Sequence, residues 1–463
     1  NDGDIDLVSN EPGNGNLVWF ENLDGNGAMD EPKIINNSNH LGIGTIQLHD
    51  MDGNGTLDVL AYDNDQVFWY KNTITNTANF SDEIYLPNQD FTSVYEIHIE
   101  DMNGDNISDI VMIGNQLKMG WMKGIDNEGN FEPYTSLSFE GRYHVRISDF
   151  DGDGDLDMVT PHYNNGNWSL GWVSNTDGNA NFSLINIIDG STVDPEDLQI
   201  ADLDGDGDDD IILGVWTATY LGYHYYWYEN KLNQGGGWIQ NTISDTTKLA
   251  PPTIYDIDTD GDLDLVTNYG GNGGLIVFEN SNGAGNFIQH APMNIYGGSS
   301  LNNVDINNDG IQDIVSVYNT STGNEELGLI YIGRDDQTFE NPIDYIGDAD
   351  NTYADGILEG RDLNGDGIKD LITSHRNVER LDWQSFDNTN LKFTNPRIIG
   401  EGRSIGIDFA DFDGDGDEDI VTLNDDSYGD NVIWFESING EVNFEAAHVL
   451  DSGDYGHKNI QAG

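Results

Sequence analysis

Residues 149–157 read Asp149-Phe150-Asp151-Gly152-Asp153-Gly154-Asp155-Leu156-Asp157, and the chain returns to this pattern from end to end. Its last acidic position recurs at Asp6, Asp58, Asp109, Asp157, Asp210, Asp264, Asp313, Asp370 and Asp419, at intervals from 48 residues (Asp109 to Asp157) to 57 (Asp313 to Asp370). Self-similarity at such a period marks a repeat architecture, in which each unit buries its apolar faces against its neighbours. No linker, Pro-rich stretch or shift of composition interrupts the series. One unit, repeated about nine times, accounts for residues 1–463 as a single domain.

The segments between the acidic loops repeat as well. An apolar burst such as Asp210-Ile211-Ile212-Leu213 or Asp419-Ile420-Val421 comes first, rich in the β-branched residues that favour strands. A second burst is built around an aromatic, as in Leu17-Val18-Trp19-Phe20-Glu21-Asn22, Val67-Phe68-Trp69-Tyr70-Lys71-Asn72 and Val432-Ile433-Trp434-Phe435-Glu436. A Gly/Asn turn (Asn282-Gly283-Ala284-Gly285-Asn286-Phe287) and a short strand (Pro396-Arg397-Ile398-Ile399) complete the unit. The runs are too short to establish a 3.6-residue period, so the spacing predicts four strands per unit and no helix.

Four-stranded units of this length are the signature of β-propeller blades. The expected fold is therefore all-β: a propeller of four-stranded antiparallel blades with about nine repeats. The alternative is a ring of seven or eight blades with a neighbouring module, because nine exceeds the usual number. Trp19, Trp69, Trp121, Trp172, Trp227, Trp383 and Trp434 hold equivalent places and are read as blade-to-blade core, not as sugar platforms. The chain starts midway through an acidic loop and stops in what reads as the strand preceding one, His457-Lys458-Asn459-Ile460. It is accordingly read as cut from a longer polypeptide at both ends, with a last strand able to pair beside residues 5–9.

The acidic loop is where chemistry can be argued. Side-chain oxygens at positions 1, 3, 5 and 9 and a main-chain carbonyl at position 7 would ring one hard cation, and glycine at position 6 permits the tight left-handed bend. Oxygen donors without nitrogen or sulfur select Ca²⁺ over transition metals, and Mg²⁺ demands a smaller octahedral cage. Four loops offer four acids. They are Asp149, Asp151, Asp153 and Asp157 with Asp155 at position 7; Asp202, Asp204, Asp206 and Asp210 with Asp208; Asp256, Asp258, Asp260 and Asp264 with Asp262; and Asp411, Asp413, Asp415 and Asp419 with Asp417. Four others offer three acids and a neutral asparagine. These are Asp50, Asp52, Asn54 and Asp58 with Thr56; Asp101, Asn103, Asp105 and Asp109 with Ile107; Asp305, Asn307, Asp309 and Asp313 with Ile311; and Asp362, Asn364, Asp366 and Asp370 with Ile368. Fewer charges predict weaker binding. The loop at Asp101 also carries Asn106 at the bend in place of glycine.

The helical calcium loop begins the same way but needs a bidentate Glu at position 12 between flanking helices. Position 12 is here Thr160, Leu213 or Thr422, and strands flank the loop. Mere solvated turns would not require acids at 1, 3, 5 and 9 again and again. About eight Ca²⁺ sites are expected.

Composition closes other routes. There are 84 Asp plus Glu against 17 Lys plus Arg, a formal charge of −67, which repels phosphate backbones and anionic lipid, so neither nucleic acid nor membrane insertion is expected. The absence of cysteine rules out disulfides, thiolate metal sites and a cysteine nucleophile. Hydrophobic content of 37% and aromatic content of 10% are too high for a disordered acidic tail.

The acidic loop, the W-Y/F-E-N strand and the G-x-G-N-F turn together resemble the FG-GAP/VCBS-type calcium-binding repeats, which build propellers such as the integrin α-chain head. The resemblance covers the whole chain and is strongest to arrays in secreted or surface proteins of bacteria. It is carried by residues 411–419, Trp434-Phe435-Glu436 and Gly283-Ala284-Gly285-Asn286-Phe287. It implies calcium ligands at the loop positions named above and an extracellular or cell-surface location, with further domains of the same polypeptide. It does not fix a function, because such repeats occur in adhesive surfaces, carbohydrate-associated proteins and some polysaccharide lyases.

In an up-and-down blade the first and third turns share one side and the second turn lies on the other. The second turns hold Tyr62, His162-Tyr163, Trp216, Tyr220, Tyr223-His224-Tyr225-Tyr226, Tyr269, Tyr318, His375-Arg376 and Tyr428. Tyr62, Tyr163, Trp216, Tyr269 and Tyr318 are the candidate ligand-binding residues, since aromatics beside short polar groups suit sugars; the same residues also suit packing between blades. Six of the eight arginines fall within 70 residues (Arg334, Arg361, Arg376, Arg380, Arg397 and Arg403), forming either solvated pairs or one cationic spot. Two functional classes are compatible with these residues. One is a non-enzymatic adhesion or binding module for a glycan or an extracellular protein. The other is a lyase removing a proton from uronate-containing glycans, with His375, Arg376, His162 and Tyr163 as its candidates. The net charge opposes approach of a polyanionic substrate.

Overall fold

The apolar bursts after the acidic loops form strands because their β-branched and aromatic side chains fit a pleated surface buried on both faces. In residues 195–249 the strands are Pro195–Ala201, Asp210–Thr217, Gly222–Glu229 and Ile239–Leu249, hydrogen-bonded as an antiparallel meander. The computed structural model describes residues 4–11, 16–23, 25, 28–36, 43, 45–62, 66–73, 80–87, 94–114, 118–140, 144–164, 166–190, 195–217, 222–249, 251–268, 275–290, 300–319, 326–334, 339, 343–345, 354–375, 380–394, 396–401, 404–426, 429–437, 448–451 and 460–462.

Nine four-stranded antiparallel sheets appear among the described residues, and the fold is a β-propeller of nine blades. Blade 1 comprises 7–34 with 460–462; the others are 45–85, 94–140, 146–189, 195–249, 253–289, 300–345, 354–401 and 404–451, numbered 2 to 9. The one described helical segment is the single 3-10 turn Leu232–Gln234. Strand Ile460–Ala462 pairs with Leu7–Glu11 in the register Leu7↔Ala462 to Ser9↔Ile460, so the end of the chain completes blade 1, as the sequence anticipated. Blade 8 carries a small extra hairpin, Phe386–Asp387 with Lys392–Phe393, in its third turn.

The chain divides into two compact units. One holds blades 1, 2, 8 and 9 with nearly all of blade 7, and the other holds blades 3 to 6. Within each, the core lies between successive blades. Phe150, Val159 and Leu170 of blade 4 pack with Leu198, Ile211, Leu213 and Tyr228 of blade 5. Leu7, Val18 and Phe20 of blade 1 pack with Phe412, Val421 and Trp434 of blade 9. Neither blade could bury those faces alone, which is why the unit recurs.

Trp19, Trp121, Trp172, Trp227, Trp383 and Trp434 lie in these junctions. Trp19, Trp69, Trp227, Trp383 and Trp434 are at most 5% exposed. Three tryptophans meet, edge-on, the Phe of the next blade's G-x-G-N-F-type turn: Trp19 with Phe80, Trp121 with Phe182 and Trp227 with Phe287, at 5.7–6.1 Å between centroids. Such pairs add about 0.5–1.5 kcal/mol to the burial itself. The motif's second glycine is explained by this contact, since a Cβ on Gly285 would lie 1.9 Å from the Trp227 ring. On the fourth strands Lys33, Arg397 and His448 cover the outer faces of Trp19, Trp383 and Trp434. Core packing is therefore their role, as read from their spacing.

One core position breaks the pattern. Where other blades place Phe20, Tyr70, Met122, Val173, Tyr228, Phe278, Tyr331 or Phe435 just after the tryptophan or the residue in its place, blade 8 places Gln384. Gln384 is 0% exposed, and neither of its amide atoms finds a hydrogen-bond partner among the described residues. A buried unsatisfied amide costs about 1–3 kcal/mol. Gln384→Leu should therefore raise stability by about that much in urea unfolding; a destabilised variant would show the amide to be satisfied in solution.

Candidate metal centres

All eight complete acidic loops join the first strand of a blade to its second and share one internal scaffold. The position-1 carboxylate accepts the N–H of position 6 at 2.7–3.1 Å, as from Gly55 to Asp50 and from Gly416 to Asp411. The position-5 side chain accepts the N–H of position 7, as in Asp155 to Asp153 at 3.0 Å. These bonds curl the loop and turn its remaining oxygens inward. The curl needs two left-handed residues, not one. Position 6 has φ of 83–98° where it is glycine, and 61° at Asn106. Position 4 is also left-handed in every loop, at Gly53, Gly104, Gly152, Gly205, Gly365 and Gly414 but also at Thr259 and Asn308. The signal for this second bend was present in the glycines of position 4.

Position 9 is the buried knot. Its carboxylate is at most 1% exposed in all eight loops. Oδ2 accepts the N–H of position 2, as from Leu203 to Asp210 at 3.1 Å. Oδ1 accepts an N–H at or just beyond the end of the third strand, from Asn72, Gly124, Asn175, Asn230, Asn280 or Ser437, at 2.7–2.8 Å. The asparagine of the W-x-E-N strand then reaches the preceding blade. Asn22, Asn175, Asn230 and Asn280 donate from Nδ2 to the carbonyls of Phe412, Met102, Phe150 and Leu203, at 2.6–2.7 Å. Each acceptor is position 2 of the neighbour's acidic loop, so loop and blade junction are one hydrogen-bonded structure. Nothing in the sequence assigned the asparagine this task.

Burial pushes the position-9 carboxyls up, to about 7 at Asp58, Asp157, Asp210, Asp370 and Asp419 and to about 6 at Asp109 and Asp264, against the backbone hydrogen bonds that pull the other way. Neighbouring loop carboxylates such as Asp151 beside Asp157 add to the rise. A cation at the loop would reverse this balance.

The donors fit a hard cation. Three carboxylate oxygens lie within 4.8 Å of one another in five loops: Asp50, Asp52 and Asp58; Asp149, Asp151 and Asp157; Asp202, Asp204 and Asp206; Asp256, Asp258 and Asp260; and Asp411, Asp413 and Asp419. Asp151 Oδ1 and Asp411 Oδ1 are buried with no hydrogen-bond partner among the described residues, which leaves charge there to be neutralised. In the other three loops asparagine stands at position 3. Asn103 and Asn364 turn their amide N–H onto Asp109 and Asp370, and Asn307 turns onto Asp309. These gather less charge, as their composition implied.

The profile of the FG-GAP-like repeat matches residues 50–112, 101–160, 256–316, 305–373 and 362–422, together more than half of the chain. The chain belongs to this family. The FG-GAP-like loop at Asp202 lies outside the matched segments yet has the same scaffold as the rest. No curated protein matches the sequence. Among solved structures, the chain is similar to an Agrocybe aegerita lectin described as recognising non-reducing terminal N-acetylglucosamine (19% identity, 74% of this chain and 90% of that one, TM-score 0.43). It is also similar to Bacillus licheniformis rhamnogalacturonan lyase PL11 (13% identity, 95% and 86%, TM-score 0.48). Likenesses this distant carry no argument about what the FG-GAP-like chain does.

The second-turn residues are unevenly placed. In blade 4 the strand Asp157–Asn164 carries Tyr163 to the hairpin end remote from the metal loop, where its ring meets Trp168 at 4.5 Å. Trp216 is half-buried and lies opposite Tyr223, and Tyr62 is half-buried opposite Val67. His162 is only 6% exposed. His375 lies opposite Arg380 and Tyr318 opposite Leu327. Arg376, Tyr269, Tyr220, Tyr428 and Arg403 lie outside the described residues. Among the described residues, three of the arginines have separate partners. Arg361 stacks on Phe409, Arg380 pairs with Asp382 at 2.6 Å, and Arg397 covers Trp383 at the other edge of its blade. No described helix is long and apolar enough to cross a membrane.

Proposed function

We propose that this protein is a calcium-stabilised binding module of the extracellular space or cell surface, whose FG-GAP-like loops each take one Ca²⁺ and whose second turns meet a glycan or an extracellular protein. The carrying observation is the all-oxygen donor set, replicated with one scaffold in eight loops and with carboxylate oxygens at Asp151 and Asp411 that are buried and unpaired among the described residues. In each loop the side chains at positions 1, 3, 5 and 9 and the position-7 carbonyl would hold the ion. Bound calcium would neutralise the clustered carboxylates and brace the loop against the neighbouring blade.

Binding is favoured over lyase chemistry. A general base must reach its proton, and His162 is buried. The aromatic pair Tyr163–Trp168 and the half-buried Trp216 instead present flat ring surface at the hairpin ends, suited to stacking on sugars. A glycan array probed in calcium should retain the protein, and Tyr163→Ala or Trp216→Ala should reduce the signal about tenfold, as loss of one stacked ring would. Retention that ignores both substitutions would place binding elsewhere. Release of unsaturated product from uronate polymers would favour the lyase.

A further inference from the structure

Only 17 basic residues stand against 84 acidic ones, yet three lysines are spent inside the acidic loops. Lys71, just before Asn72, pairs its ammonium with Asp52 at position 3. Lys123, at the equivalent place in blade 3, lies 3.2 Å from Asp105 Oδ2 and 3.3 Å from Asn103 Oδ1. Lys231, just after Asn230, lies 2.6 Å from Asp204 Oδ2 and 3.0 Å from Asp206 Oδ2, and is held at 2.7 Å by Glu229. The oxygens engaged are those of positions 3 and 5, which a metal ion would also need. The Lys231 side chain is 19% exposed and that of Asp204 8%, so this is not a loose surface pair.

Loops without such a lysine look different. In blade 4 the place of Lys71 is taken by Ser174, whose Oγ donates to Asp151 Oδ2 at 3.2 Å while Asp151 Oδ1 stays buried without a partner among the described residues. In blade 9 that place is taken by Glu436, and Asp411 Oδ1 is likewise buried and unpartnered among them. Three loops thus carry their own cation, while those at Asp149 and Asp411 leave a buried carboxylate oxygen unanswered among the described residues.

We infer that Lys71, Lys123 and Lys231 are tethered counter-ions that Ca²⁺ must displace, so that the loops at Asp50, Asp101 and Asp202 form a weaker class of calcium sites than the four-acid loops without such a lysine, at Asp149, Asp256 and Asp411. The inference rests on the calcium reading above. An ammonium fixed by its own chain is present at high effective concentration, and one positive charge fewer in the cage should strengthen binding of a divalent ion. It also lets these three loops fold before any ion arrives.

The test is a calcium titration of the chelator-stripped full chain by calorimetry, with bound ions counted by native mass spectrometry. The wild type should show a tight and a weak class. In the triple variant Lys71→Met, Lys123→Met, Lys231→Met, three equivalents should bind about tenfold tighter or more, because the competing charge is gone. Ser174→Lys should move one equivalent from the tight class to the weak one, which keeps the test decisive should the triple variant fold poorly. In chelator the triple variant should melt below the wild type, and in saturating calcium it should not. Titrations of both variants that match the wild type would overturn the lysine assignment while leaving calcium binding intact. A wild type that takes up no calcium would overturn the calcium reading itself.

Discussion

Excess chelator should lower the thermal midpoint of this protein by roughly 10–30 °C. With free calcium at about 10–100 times Kd, each occupied loop contributes about 1.4–2.7 kcal/mol by linkage. Over eight loops that is comparable to the whole stability of an ordinary domain. The shift per kcal/mol is small for a chain of this size, which is why the expected change is tens of degrees and not complete unfolding. Scanning calorimetry with calcium and with chelator measures it directly, and coincident melts would contradict metal-bound loops.

The pH dependence should change sign between the two states. In the metal-free protein the folded position-9 carboxyls titrate near 6–7, raised by burial above the ordinary carboxylate value of the unfolded chain. Between about pH 4 and 7 the folded state therefore holds extra protons, and stability is lost as pH rises through that window, by up to about 1.4 kcal/mol per pH unit for each such group. The chelated protein should melt higher at pH 5.5 than at pH 7.5. The calcium-loaded protein should do the opposite, because protons compete with the ion for the same oxygens.

The second large effect is expected at a single aspartate. Asp210→Ala removes the acceptor of two buried N–H groups, Leu203 and Asn230, and frees the Asn230 side chain that clasps Phe150 of the preceding blade. Each orphaned buried donor costs about 1–3 kcal/mol, so a loss of about 3–5 kcal/mol is expected. Asp210→Asn keeps one acceptor oxygen and should lose about half as much. Urea unfolding in chelator separates this cost from that of metal release. Equal, small losses for both variants would show that the knot at position 9 contributes little without the ion.

The asparagine clasp shows where reading the chain in one dimension runs out. Asn230 and Phe150 are 80 residues apart, and Asn22 and Phe412 are 390 apart. A W-x-E-N motif marks a strand end but does not say whose carbonyl its amide meets. The same holds for Lys123, which reads as an ordinary charge after a tryptophan until the third strand brings it to Asp105, and for Gln384, which reads as a polar strand residue until its blade closes over it. For the arginine-rich stretch the sequence left two readings open, and the fold chooses separate partners, since Arg361 and Arg397 lie on strands at opposite edges of one blade.

The repeat, the strand count, the candidate loop ligands and the core role of the tryptophans were all determined by sequence, because each rests on spacings of a few residues that a strand or tight turn converts directly into geometry. Three things belong to the tertiary structure alone: which loops have their charge answered by a lysine, which blades are stitched by an asparagine, and which aromatics stay accessible. The first depends on a third strand folding back beside the loop of its own blade and the others on surfaces that meet only when one sheet packs on the next, and no local period encodes them.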